Sequence, residues 1–185
     1  ALECLNTEIR DLVTDSRAIK GGETFLAYAG HKSDGRRFIP QAIAAGARAV
    51  LWERQGFTWD PAWKVPNLSI AGLRSKAGMI ADHLYGHPSR NLWVVGITGT
   101  NGKTSCSQWV AQAMTLLGRK TAIIGTLGTG FPGELESGVN TTPDAVVLQS
   151  EMAGFLQGGA CSVAMEVSSH GIVQERINGT TFAVA

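Results

Sequence analysis

The stretch Gly99-Thr100-Asn101-Gly102-Lys103-Thr104 decides how this chain reads. An apolar run, Leu92-Trp-Val-Val-Gly-Ile97, precedes it, and residues 105–117 after it have helical character. Strand, glycine-rich turn with Gly-Lys-Thr, then helix is the layout of a phosphate-binding loop. Glycines let backbone N–H groups turn inward around phosphates, and the helix N-terminus adds partial positive charge. Lys103 supplies a full charge, and the Thr104 hydroxyl is placed to ligate Mg²⁺. The pattern implies binding of ATP or GTP. One glycine is out of place: the position five residues before the Gly-Lys pair is Ile97, flanked by Gly96 and Gly99. An ordinary glycine-rich turn is the bland alternative. Lysine beside threonine at a strand-to-helix switch argues against it.

The 185 residues suffice for one large domain or two small ones. Hydrophobic residues make up 44% and charged residues 17%, which supports a buried core and argues against disorder. A formal net charge of +1 is too small for a long phosphate-backbone footprint, so nucleic acid is not an expected partner. No apolar run approaches the ~20 residues of a membrane span. Cys4, Cys106 and Cys161 form no C-x-x-C pair and read as reduced thiols of a cytoplasmic protein, with Cys106 a packing residue.

Along the chain, residues 11–15 and 23–29 read as short strands, 36–45 as a helix, 47–52 as a strand, 53–66 as loop and 71–85 as a second helix. Residues 86–89 read as a linker. The glycine-rich turn then opens a second unit. Its first helix carries Trp109, Val110, Ala113, Met114 and Leu117 as the expected buried face. Residues 121–125 read as a strand, 126–142 as a long Gly- and Thr-rich connection, and a helix starts at Pro143 and runs to about residue 157. Strands follow at 162–167 and 181–185. The expected fold is α/β: a small N-terminal α/β domain over 1–89, then the first part of a P-loop, mostly parallel-sheet ATPase domain over 90–185. The chain begins without Met and stops in an apolar strand, so it reads as part of a longer enzyme.

A phosphate loop needs an acid at the end of a neighbouring strand to organise Mg²⁺. Glu166, after the apolar Ser162-Val-Ala-Met165, is the candidate. Asn140-Thr141-Thr142-Pro143-Asp144 suits an anion or a sugar-phosphate, and equally suits helix capping. His170 reads as locally hydrogen-bonded.

Five blocks resemble the Mur ligase family, ATP-dependent amide-bond-forming enzymes of peptidoglycan synthesis: Thr14-Asp-Ser-Arg17, Gly30 to Phe38, Gly96 to Thr104, Asn140 to Asp144, and Met165 to His170 with Gln174-Glu-Arg176. The out-of-place glycine is that family's form of the loop. The Thr-Thr-Pro and Glu-Val-Ser-Ser-His blocks point to its tripeptide-forming branch. The resemblance implies that Thr14, Ser16, His31, Lys32 and Ser33 hold the uridine diphosphate end of a substrate. It implies that Gly99, Thr100, Asn101, Gly102, Lys103, Thr104 and Ser105 hold ATP phosphates. Thr104 and Glu166 would place Mg²⁺, with Lys103 and Glu166 catalytic. Asn140, Thr141, Thr142, Ser168, Gln174 and Arg176 would contact a muramoyl-dipeptide. Thr14 stands where relatives often have leucine, and Ser105-Cys106 where related loops often continue with threonines.

The implied activity adds a third amino acid to UDP-N-acetylmuramoyl-L-alanyl-D-glutamate through an acyl phosphate, in a cytoplasmic monomer. Meso-2,6-diaminopimelate is the commoner amino acid in the family and lysine the other. The family's carbamylated lysine, its adenine site and its C-terminal domain lie beyond residue 185, so this stretch alone is expected to be inactive. Alternatives are another Mur-type or folylpolyglutamate-type ligase, or a P-loop regulatory binding module.

Overall fold

Parallel strands covered on both faces are written as continuous apolar runs. Phe25-Leu-Ala27 and Ala49-Val-Leu-Trp52 are such runs, and they form the centre of the first sheet. The computed structural model describes every residue except 1–4, 6, 32 and 139. The chain divides into two compact units, residues 1–77 and 78–185.

The first unit holds β1 (Leu12–Val13), β2 (Thr24–Ala27), β3 (Ala49–Glu53) and β4 (Asn67–Ile70), paired in that order and all parallel. Phe25, Ala27, Val50 and Trp52 pack with Ile39 and Ala42 of the short helix α1 (Ile39–Ala44). The first three residues of the expected helix, Arg36–Phe38, instead belong to a tighter 3₁₀ turn, Gly35–Phe38, that leads into α1. β4 has no counterpart in the sequence reading. It is only half-buried, and Asn67 and Ser69 interrupt its apolar pattern. The segment before it, read as loop, is irregular but tightly packed. Trp59 stacks on Trp52 with centroids 5.7 Å apart, and Trp63 meets Trp59 edge-on at 5.0 Å. The Glu53 carboxylate accepts from the Leu73 N–H (2.7 Å) at the start of α2 (Leu73–Leu84). The division between units falls inside α2, earlier than the linker the sequence suggested.

The second unit adds α3 (Pro88–Asn91), β5 (Trp93–Ile97), α4 (Lys103–Leu116), β6 (Thr121–Gly125), β7 (Gly128–Phe131), β8 (Glu134–Glu136), α5 (Ala145–Gln157), β9 (Ser162–Glu166) and α6 (Ser169–Val173). The sheet order is β5-β9-β6-β7-β8. The first three are parallel, and β7 and β8 join as an antiparallel hairpin. Central β9 is buried at every position. Val163 and Met165 face Leu148 and Met152 of α5, while Ala164 faces Ala111 of α4.

Five expectations are corrected here. Residues 126–142 are not a plain connection: Pro132-Gly133 turns the β7–β8 hairpin, a signal the sequence carried. The buried positions of α4 are Ser107 and Ala111, whereas Trp109 is 68% and Leu117 77% exposed. The helix expected from Pro143 starts two residues later, at Ala145, because the Asp144 side chain accepts from the N–H groups of Val146 and Val147 as its N-cap. The expected last strand is reduced to a single parallel bridge, Val95 to Val184. Cys106, expected to pack, is exposed. Among the described residues no helix is long and apolar enough to cross a membrane.

Candidate functional site

β5 ends at Ile97 and α4 begins at Lys103, so the glycine-rich turn lies between a strand end and a helix N-terminus. Gly99 (φ 139°) and Gly102 (φ 80°) occupy backbone conformations that side chains disfavour, which explains glycine at both. Gly102 provides no side-chain cap for α4, leaving its first N–H groups available to an anion. Lys103 Nζ folds back to donate to the Gly99 carbonyl (2.7 Å). Thr100, Asn101 and Ser105 are exposed.

Glu166 closes β9 and is 1% exposed, yet its carboxylate is fully engaged. Thr104 Oγ1 (3.0 Å) and Thr126 Oγ1 (3.1 Å) both donate to Oε2, and the Thr126 N–H donates to Oε1 (2.8 Å). Thr104 and Glu166 are 62 residues apart in sequence, and strand order brings them together. Gly125 makes the space: a Cβ there would lie 2.3 Å from Glu166 Oε1. The sequence reading missed Thr126. Its signal was a hydroxyl residue directly after the apolar strand β6, the position that Glu166 was picked for on β9.

The second cluster adjoins this carboxylate. The Thr142 hydroxyl donates to the Glu166 carbonyl (2.9 Å) and accepts from the Ser168 N–H (3.2 Å). Ser168 caps α6 by accepting from the Gly171 N–H (3.0 Å). Arg176 donates through Nη1 to the Thr142 carbonyl (2.6 Å) and through Nε and Nη2 to Gln174 Oε1. Thr141 Oγ1 lies 3.0 Å from Thr126 Oγ1. Thus Thr141, Thr142, Ser168, Gln174 and Arg176 form one network with Thr104 and Glu166. Asn140 and His170 stand exposed beside it in sequence.

Among the described residues no group of three or more His, Cys, Asp or Glu could hold a metal. A single carboxylate ringed by hydroxyl oxygens still fits Mg²⁺, which takes few protein ligands and completes its shell with water and phosphate oxygens. The donor set is hard oxygen throughout, which suits that ion.

The first unit has its own cleft of about 350 Å³, lined by Thr14, Asp15, Ser16, Arg17, Ser33 and their neighbours Gly35, Phe38 and Gln41. Ser16 is buried and donates to Gln41 Oε1 (3.2 Å). The Arg17 guanidinium, hydrogen-bonded to Asp15, holds that carboxyl below its usual range, and Arg36 does the same to Asp34. Arg36 also donates to the Gln55 carbonyl (2.6 Å) and lies over the Phe57 ring, so it ties the Asp34 turn to the aromatic segment. Of the residues expected here, Thr14, Ser16 and Ser33 line the cleft. His31 instead pairs with Arg74, and Lys32 lies outside the described residues.

Two family models match the chain: the Mur ligase family catalytic domain over residues 8–85 and the Mur ligase middle domain over 97–185. A relative from Nitrosomonas europaea is 62% identical over 184 residues, covering all of this chain and 35% of its own length. One from Chromobacterium violaceum is 52% identical, covering all of this chain and 38% of its own. Both are named UDP-N-acetylmuramoyl-L-alanyl-D-glutamate--2,6-diaminopimelate ligase. A solved structure of a ligase of that name superposes with TM-score 0.76 at 28% identity, over 96% of this chain and 35% of that one. A MurF ligase from Thermotoga maritima, solved with ADP, shares the fold with TM-score 0.60 at 19% identity, over 94% of this chain and 36% of its own. The chain therefore spans little more than a third of the relatives it matches.

Proposed function

Because the chain belongs to the Mur ligase family, we propose that it forms the substrate-binding and nucleotide-binding parts of the enzyme that adds the third amino acid to UDP-N-acetylmuramoyl-L-alanyl-D-glutamate. In this reading residues 1–89 bind the UDP end of the substrate and 90–185 begin the ATP domain, with a C-terminal domain supplied by sequence not present here. The enzyme works as a cytoplasmic monomer. The amino acid is meso-2,6-diaminopimelate; the relatives' names give 2,6-diaminopimelate for those proteins.

The observation that carries the reading is the contact of Thr104, on the glycine-rich turn, with Glu166, beside the Thr141–Thr142–Ser168–Arg176 cluster. A nucleotide-type turn and a cluster of hydroxyl and guanidinium donors meet at one residue, the turn at the Glu166 carboxylate and the cluster at its main-chain carbonyl. The γ-phosphoryl of ATP passes to the D-glutamyl carboxylate with release of ADP, and the amine of the amino acid then expels phosphate from the acyl phosphate. Mg²⁺, when bound, neutralises charge on the transferring oxygens. Thr104 and Glu166 hold the cation. Lys103 leaves the Gly99 carbonyl for phosphate oxygens, and the α4 N–H groups bind the same phosphates. Thr142 and Arg176 orient the muramoyl-dipeptide, while Thr14, Ser16, His31, Lys32 and Ser33 serve the uridine end.

The test is tripeptide formation by the full-length enzyme. Lys103→Ala should lower the rate by about two to three orders of magnitude. A near wild-type rate would remove the phosphate role. Residues 1–185 alone should form no tripeptide, and measurable product from them would place the whole reaction in this stretch.

A further inference from the structure

The three hydroxyls around Glu166 have a fixed proton order. Thr104 and Thr126 each give their single hydroxyl proton to Oε2. Thr126 Oγ1 then has only lone pairs to offer Thr141, so Thr141 must donate across the 3.0 Å contact. The chain reads Thr141 → Thr126 → Glu166 ← Thr104. Its ends belong to different clusters: Thr104 to the glycine-rich turn, Thr141 to the turn before α5. Thr104 and Thr141 are partly buried, while Thr126 is exposed, so a ligand can reach the relay.

We infer that Thr126 is a positioning residue that couples nucleotide binding to substrate binding by reversing this relay. The inference rests on the Mg²⁺–ATP reading above. With Oε2 engaged by a cation, Thr126 loses its acceptor and turns its proton toward Thr141. Thr141 is then released to donate outward, to a carboxylate, carbonyl or phosphate oxygen of the second ligand. The same logic runs backward: an acceptor at Thr141 draws its proton outward and frees Thr126 to turn away from Oε2. Each ligand therefore favours the other, as reciprocity of binding requires. No covalent bond breaks and no net proton leaves; only hydroxyl rotation and an exchange of hydrogen bonds are needed. The Thr126 N–H to Oε1 bond holds the carboxylate in place throughout, so removing the hydroxyl leaves its anchor intact.

The experiment is calorimetric titration of the full-length enzyme with Mg²⁺ and a non-hydrolysable β,γ-methylene ATP analogue, with and without UDP-N-acetylmuramoyl-L-alanyl-D-glutamate. In the wild type the UDP-peptide should tighten analogue binding by about tenfold. Thr126→Val, which keeps shape and backbone N–H, should reduce that to within about twofold while retaining binding of each ligand alone. Thr126→Ser should restore the coupling. Full coupling in Thr126→Val, or none in a wild type that binds both ligands, overturns the relay and leaves the ligase reading standing. A wild type that binds neither ligand overturns the ligase reading and the relay together.

Discussion

In the first unit the turns lining the cleft are held by pairs two residues apart, Asp15 with Arg17 and Asp34 with Arg36. In the second, Glu166 draws its donors from residues 40 and 62 positions away. The first kind of site needs little more than its own turn to take shape. The second exists only once β5, β9 and β6 are in order. Local sites should lose little when one partner is removed, and assembled sites should lose much from a small intrusion.

Gly125→Ala is the sharpest way to break that contrast. Its Cβ would press on the Glu166 carboxylate, a buried group held by the Thr104 and Thr126 donors. The variant should lose about 3 kcal/mol of stability in denaturant unfolding. Mg²⁺-dependent nucleotide binding should fall with it. An unchanged unfolding midpoint would show that the assembled site yields as easily as a turn.

Asp34→Ala should cost less, about 1–2 kcal/mol, because Arg36 keeps its bond to the Gln55 carbonyl. Affinity for the UDP end should weaken in the same titration, while nucleotide affinity stays put. A loss as large as that of Gly125→Ala would erase the distinction.

Glu151 supplies a pH-dependent test within the second unit. Burial, then the nearby Asp144 and Glu136 carboxylates, pushes its carboxyl up to about 7, and its Oε2 is buried without a hydrogen-bond partner. The folded value lies above the unfolded 4.5, so the protonated form is favoured by the fold. That stability is complete below the unfolded value and is lost as pH rises through about 7. Glu151→Gln should therefore raise the melting temperature at about pH 8, by the equivalent of about 1–2 kcal/mol, and change little near pH 5. Equal effects at both pH values would refute the titration.

Asp15→Ala should show the smallest effect, about 0.5–1 kcal/mol in the same unfolding measurement. It removes the cap of the 3₁₀ turn Ser16–Ala18 and an exposed ion pair. A larger loss would mean that Asp15 supports more than its own turn.

Much of this was legible in the sequence where the signal is local or strongly patterned. The buried runs of β2, β3, β5, β6 and β9 and the glycine-rich turn read directly. Glu166 was found because a polar residue ended an apolar strand. Thr126 directly follows the apolar strand β6 but lay in a stretch read as connection, because Gly128 and Gly130 masked the alternation of β7. Their role is steric: side chains there would strike the backbone of β8. The outer face of α4 misled because apolar residues can stand on a surface; Trp109 and Leu117 follow the helical period yet face solvent. The pairing of His31 with Arg74 joins residues 43 apart, and no local pattern announces it.

The ring cluster of Trp52, Trp59 and Trp63 has a spectroscopic consequence. Together with Trp93 and Trp109 they account for all five tryptophans of the chain. Three indoles held this closely should couple optically and give a near-ultraviolet circular dichroism signal that vanishes when the first unit melts. Trp109, bare to solvent on the helix that starts at Lys103, should emit at long wavelength. The two colours of one natural fluorophore would then report on the two units separately, with no label added.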